Sequence, residues 1–208
     1  MDTFALVADE RRSLAGVLES LSADDWTQPS LCGAWSTHQV AAHLNVPFAV
    51  GSLTFVVEIA KALGRFDKAN ERVAVDLATR LSPAECIAGL RANADSRFTP
   101  PMFGPEAPLT DTIVHGGDIL QPVGRTVAVA PEALSVSLPF ITSAKARRGF
   151  GAVSADGLRI APTDLDLTIG DGEELAGPAR SIVCALAGRT PFLDDLTGPG
   201  VDVLRARC

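Results

Sequence analysis

The chain has 208 residues, 47% of them hydrophobic and 21% charged, with a formal net charge of -7. That balance supports a real apolar core, and the acidic excess argues against general electrostatic attraction to nucleic acid or anionic lipid. No uninterrupted apolar run reaches the roughly 18 residues of a membrane span, and Asp9, Glu10, Arg11 and Arg12 interrupt the apolar N-terminus, so neither a span nor a signal peptide is expected and the chain reads as cytoplasmic.

Phe4, Val7, Leu14, Leu18 and Leu21 recur at helical spacing and predict a first helix over the opening residues. Ser36-Thr37-His38-Gln39 has the form of a capping box and opens a second helix, which carries Val40, His43 and Leu44 and is expected to continue to Leu63 with Gly64 as its stop. Pro47 lies inside it. Proline has no N–H to donate and its ring crowds the carbonyl four residues back, that of His43, so a kink beside His43 is expected. A third helix is expected over Lys68 to Arg80. Ser82-Pro83-Ala84-Glu85 starts a fourth, running to Phe98. Residues 99–108, with four prolines and one glycine, read as a loop, and a short helix from Leu109 to Gln121 follows.

From Arg125 the pattern changes. Pro131 starts a helical region ending near Gly149 and broken at Pro139. Leu158, Ile160, Leu165, Leu167 and Ile169 then alternate as in a hairpin, Glu173 to Ala187 reads as a helix, and Val201 to Leu204 as a strand. The reading is α+β overall, with an all-helical bundle over 1–124 followed by a small α+β domain over 125–208.

Asp111 and His115 are four apart, on one face of a helix one turn from each other, which is ligand spacing. Asp118, three residues on, shares that face as an extra ligand or as a carboxylate that orients an imidazole. A catalytic zinc takes three protein ligands and keeps an open position. The third ligand falls to His43, on the inward stripe of its helix; His38, in the first turn, is expected to be exposed. Hydrogen-bonded core histidines are the competing reading, since D-x-x-x-H recurs by chance. The metal reading gains because all these polar residues fall on apolar faces, where burial without a partner or ion is costly.

Cys32, Cys86, Cys184 and Cys208 have neither zinc-site spacing nor the density of a disulfide scaffold, so reduced thiols are expected. Cys32, beside Leu31 and Trp35, reads as a packing cysteine ahead of a nucleophile or fourth ligand. Trp26 and Trp35 read as core anchors.

WTQPSLCGAWSTHQVAAHL resembles the segment W-x-x-P-(S/T)-L-C-x-x-W-(S/T)-x-x-x-V-x-A-H-L of mycothiol-dependent maleylpyruvate isomerase-like proteins, in the DinB-like superfamily. LTDTIVHGGDI is similar to their second signature, E-x-x-V-H-x-x-D-I, except that Asp111 stands where the family usually has Glu. AGPARSIVCALAGR resembles the helix of the family's small second domain. The resemblance implies a DinB-like four-helix bundle with one zinc held by His43, Asp111 and His115, mycothiol as cosubstrate, and a catalytic arginine at Arg189 or Arg180. It implies an isomerase or S-transferase acting on a small electrophilic substrate through a zinc-bound thiolate, in a monomer or homodimer. Two other readings stand beside it: a non-catalytic metal-binding or regulatory protein of the same fold, and a metal-dependent hydrolase with Asp118 as general base.

Overall fold

The computed structural model describes residues 2–50 and 66–208. The first helix, α1 (Thr3–Leu18), buries Val7, Leu14 and Leu18 of the expected stripe, with Leu6 buried beside it and Phe4 half-buried. A short 3-10 turn, Asp25–Thr27, seats Trp26, and α2 (Thr37–His43) follows with the capping box its sequence announces. Gln39 N–H donates to Ser36 Oγ at 3.3 Å, and Ser36 N–H donates to Gln39 Oε1 at 2.8 Å. Then come α3 (Val46–Ala49), α4 (Phe66–Arg80), α5 (Pro83–Ala92) and α6 (Glu106–Leu120). Ser82 and Glu85 form the second capping box, at the head of α5. The expected second helix is interrupted after His43, with Val50 extended at the end of α3, and its expected course over 51–63 and stop at Gly64 lie outside the described residues.

The C-terminal stretch contributes α7 (Pro131–Ile141), α8 (Ala144–Gly149), β1 (Leu158–Pro162), β2 (Glu173–Gly177), α9 (Ala179–Leu186) and α10 (Gly200–Arg205), with a 3-10 turn at Thr190–Asp195. The architecture is therefore α+β: helices with a two-stranded sheet. Among the described residues no helix is long and apolar enough to cross a membrane.

The chain divides into two compact units. One, Arg11–Phe98 with His115–Val127, has helices as its only regular elements among the described residues and centres on Leu14, Leu18, Val40, Leu44, Leu90 and Ile119. The other, Met1–Glu10, Thr99–Val114 and Ala128–Cys208, holds the sheet and buries Leu138, Ile141, Ile160, Leu175 and Ile182. Helices α1 and α6 each contribute residues to both.

Several elements differ from expectation, each for a local reason. Helix α5 stops at Ala92 rather than Phe98, where the Arg11 guanidinium gathers the carbonyls of Asn93, Ala94 and Ser96 at 3.1–3.2 Å. Helix α7 runs through Pro139 and ends at Ile141, because a proline in the last turn removes only one ladder bond; the break falls instead before Ser143, whose hydroxyl caps α8. The expected hairpin is a parallel pair, with Leu158 opposite Glu173 and Ile160 opposite Leu175, and Ile169 makes only an isolated antiparallel bridge to Ile160. Close approach to the backbone requires glycine here: a Cβ on Gly172 would lie 1.9 Å from Gly157 O. The helix expected from Glu173 begins only at Ala179, since Pro178 disfavours helical geometry in the residue before it, and 173–177 is strand. Val201 to Leu204 is helical, not extended; only Leu204 of the four is buried, so the valines' strand preference is overridden by one packed side chain.

Candidate metal centre

The geometry around His43 starts with the chain break that its neighbours impose. Helix α2 ends at His43, Leu44 is its C-cap, and the next helix starts at Val46 with Pro47 in its first turn. Without an N–H, Pro47 cannot continue the ladder to His43 O, and the expected kink is realised as an interruption. Buried Asn45 holds the break, donating from Nδ2 to Ala41 O at 2.9 Å and to Cys86 O at 3.1 Å. His43 is half-buried at this helix end. Its ring centroid lies 5.3 Å from that of Trp35 and 4.7 Å from that of His115.

On α6, Asp111, His115 and Asp118 share one face, as their spacing requires. His115 Nδ1 lies 2.8 Å from Asp118 Oδ2; the Asp118 side chain is fully buried and that of His115 is 11% exposed. A hydrogen bond from Nδ1–H to this carboxylate fixes the tautomer and leaves the Nε2 lone pair as the ring's donor. Ligand atoms of His43, Asp111 and His115 all fall within 4.8 Å of one another. Two of the three belong to the helical unit, and Asp111 is set one turn behind His115 by the unbroken helix itself. Two imidazoles and one carboxylate at this spacing fit a divalent ion such as zinc. The same His115–Asp118 arrangement orients metal-binding histidines generally.

One residue sits differently from its sequence reading. His38 is half-buried rather than exposed: Nε2–H donates to Leu81 O at 2.8 Å, and the ring meets Trp26 edge-on at 6.1 Å. Cys32 packs against the core as expected, and its Sγ also lies within 4.8 Å of ligand atoms of His115 and Asp118. Sequence spacing carries no signal for that grouping, which depends on a loop meeting a helix far along the chain. Trp26 is a core residue as expected, while Trp35 packs partly on the core and partly on His43. Arg189 lies in the unit with the sheet, where Nη1 donates to Ala187 O. Arg180, in the same unit, places its guanidinium 5.7 Å from the Phe192 ring centre.

The domain family described as mycothiol maleylpyruvate isomerase N-terminal domain matches residues 7–114. Among solved structures, the crystal structure of the mycothiol-dependent maleylpyruvate isomerase aligns with a TM-score of 0.62 at 15% identity, covering 96% of this chain and 92% of that one. A histidine-to-alanine mutant of the mycothiol-dependent maleylpyruvate isomerase aligns with a TM-score of 0.61 at 16% identity and the same coverage. At such identity these likenesses establish a shared fold. No curated protein matches the chain.

Proposed function

The chain belongs to the mycothiol maleylpyruvate isomerase N-terminal domain family, and from that premise we propose that it is a metal-dependent isomerase or S-transferase joining a small-molecule thiol, mycothiol, to a small electrophilic substrate. The observation that carries the reading is the convergence of His43, Asp111 and His115 within 4.8 Å, with the His115 ring gripped through Nδ1 by Asp118.

In this reading His43, Asp111 and His115 hold one divalent ion, zinc for preference. Bound there, the ion supplies a positive charge that favours the thiolate form of an incoming thiol. The protein's part is positional. Asp118 keeps the Nδ1 proton of His115 and so presents Nε2; the helix presents Asp111 at the same edge; and Trp35, against the His43 ring, limits the rotation of that imidazole. Asp111 is one methylene shorter than the Glu usual in relatives, so the same oxygen position asks for a slightly closer helix or a longer bond. Arg189, with Arg180 as the other choice, is the cation we assign to an acidic substrate.

Metal analysis and thermal shift test this together. Wild type should carry one equivalent of divalent metal, lost in His115→Ala, and the loaded protein should melt at a higher temperature with millimolar mycothiol. Absence of stoichiometric metal sinks the assignment of the ligands; metal without stabilisation by the thiol sinks the thiol chemistry.

A further inference from the structure

We propose that Cys32, His115 and Asp118 form a second cation subsite, selective for thiophilic divalent ions, that shares His115 with the set His43, Asp111 and His115. The Cys32 Sγ, a His115 ring nitrogen and an Asp118 carboxylate oxygen lie within 4.8 Å of one another, and all three residues belong to the helical unit. His115 Nδ1 and Asp118 Oδ2 are already adjacent at 2.8 Å. Cys32 completes that side with a sulfur donor, which the first set lacks. Soft thiolate ligation is what separates thiophilic ions from those content with nitrogen and oxygen.

The loop that carries Cys32 is tied to the helix that carries the other two. Leu31 N–H donates to Asp118 O at 3.2 Å. Within the loop, Ser30 N–H donates to Trp35 O at 2.9 Å, Trp35 N–H to Cys32 O at 3.2 Å, and Cys32 N–H to Ser30 Oγ at 3.0 Å. Gly33, at φ +59°, makes the turn that these bonds require. Cys32 is half-buried, whereas Cys86 and Cys184 are buried and Cys208 is at the exposed terminus. Burial pushes the Cys86 thiol up to about 12.

Binding at this subsite replaces the S–H bond of Cys32 by a sulfur–metal bond, and the proton leaves to solvent. The Nδ1–H···Oδ2 hydrogen bond gives way to one bond from each atom to the ion, with the imidazole proton relocated to Nε2. A neutral ring offers one lone pair at a time, so the two sets are alternatives. A thiophilic ion captured by Cys32 therefore withdraws His115 from the first set, and the subsite is inhibitory.

Cadmium is the probe, added to metal-stripped full-length protein while the thiolate-to-cadmium absorption in the ultraviolet is followed. Wild type should develop that band in proportion to the first equivalent. Cys32→Ser should lose it, Cys208→Ser and Asp111→Asn should keep it, and Asp118→Asn should shift the midpoint about tenfold or more to higher cadmium. Retention of the band in Cys32→Ser overturns the proposal, as does its loss in Asp111→Asn, which would make the sulfur a ligand of the first set. Should Cys32→Ser fail to fold, an unshifted midpoint in Asp118→Asn overturns it equally. The first set is read separately, as zinc lost from Asp111→Asn while the cadmium band persists.

Discussion

Asp118 Oδ2 stands 2.8 Å from His115 Nδ1, its side chain wholly removed from solvent. Burying a carboxylate is costly unless it is hydrogen-bonded or paired, and here the imidazole supplies the partner. The same residue's backbone carbonyl accepts from Leu31, so Asp118 fixes a ring on one side and a loop on the other. Asp118→Asn keeps the volume and removes the charge. It should weaken divalent-metal affinity about 10- to 100-fold, with Asp118→Ala at the weaker end. Competition with a chromophoric chelator measures this; unchanged affinity in both variants would show that the carboxylate does not tune His115.

The break after His43 makes a stability prediction. Gly89 lies inside α5, where Ala would ordinarily stabilise a helix by about 1 kcal/mol. A Cβ at Gly89 would, however, meet Asn45 Oδ1 at 2.1 Å, and Asn45 is buried and committed through Nδ2 to two carbonyls. Overpacking of about 1–3 kcal/mol outweighs the propensity gain, so Gly89→Ala should be destabilising in urea. Asn45→Ala removes both Nδ2 hydrogen bonds and takes from the Ala41 carbonyl, at the end of α2, its donor, at a cost of about 1–3 kcal/mol. The double variant should be less unstable than the two costs summed, because the clash has gone. Strict additivity would mean that the side chain moves aside freely.

What was legible in the sequence follows from the range of the interactions. Both capping boxes are written in four consecutive residues, and α1, α4 and α6 appear close to their expected bounds, although α6 starts at Glu106, inside the stretch that reads as a loop. Asp111, His115 and Asp118 share a face for the same local reason. The pairing of His43 with His115 follows from each lying on an inward helix face and is reinforced by the family motifs, since nothing local in either helix states that they meet. Errors gathered after Leu158. There β1 pairs in parallel with β2, past the alternating residues that read as its partner, and Pro178, unweighed beside the apolar run of α9, sets where that helix starts. Cys32 packs against the core as its apolar sequence neighbours suggest, while its proximity to His115 and Asp118 depends on the tertiary fold and has no local sequence signal.

Glu10 supplies a pH dependence. It is 5% exposed in α1 and accepts from Ala130 N–H at 3.0 Å. Burial raises its pKa above the ordinary 4.5; the Ala130 hydrogen bond and the charge of Arg180 pull the other way without winning, and Asp9 adds to the rise. A raised carboxylate binds its proton more tightly in the folded state than in the unfolded one. Its contribution to stability is therefore fully present below 4.5 and is lost as pH climbs through the folded value. Glu10→Gln keeps an acceptor for Ala130 and has no charge to bury. Measured by urea unfolding from about pH 4 to about pH 7, the stability of the variant relative to wild type should rise with pH and level off once Glu10 is ionised in both states. A difference independent of pH over that range would mean that Arg180 already compensates the buried charge in full.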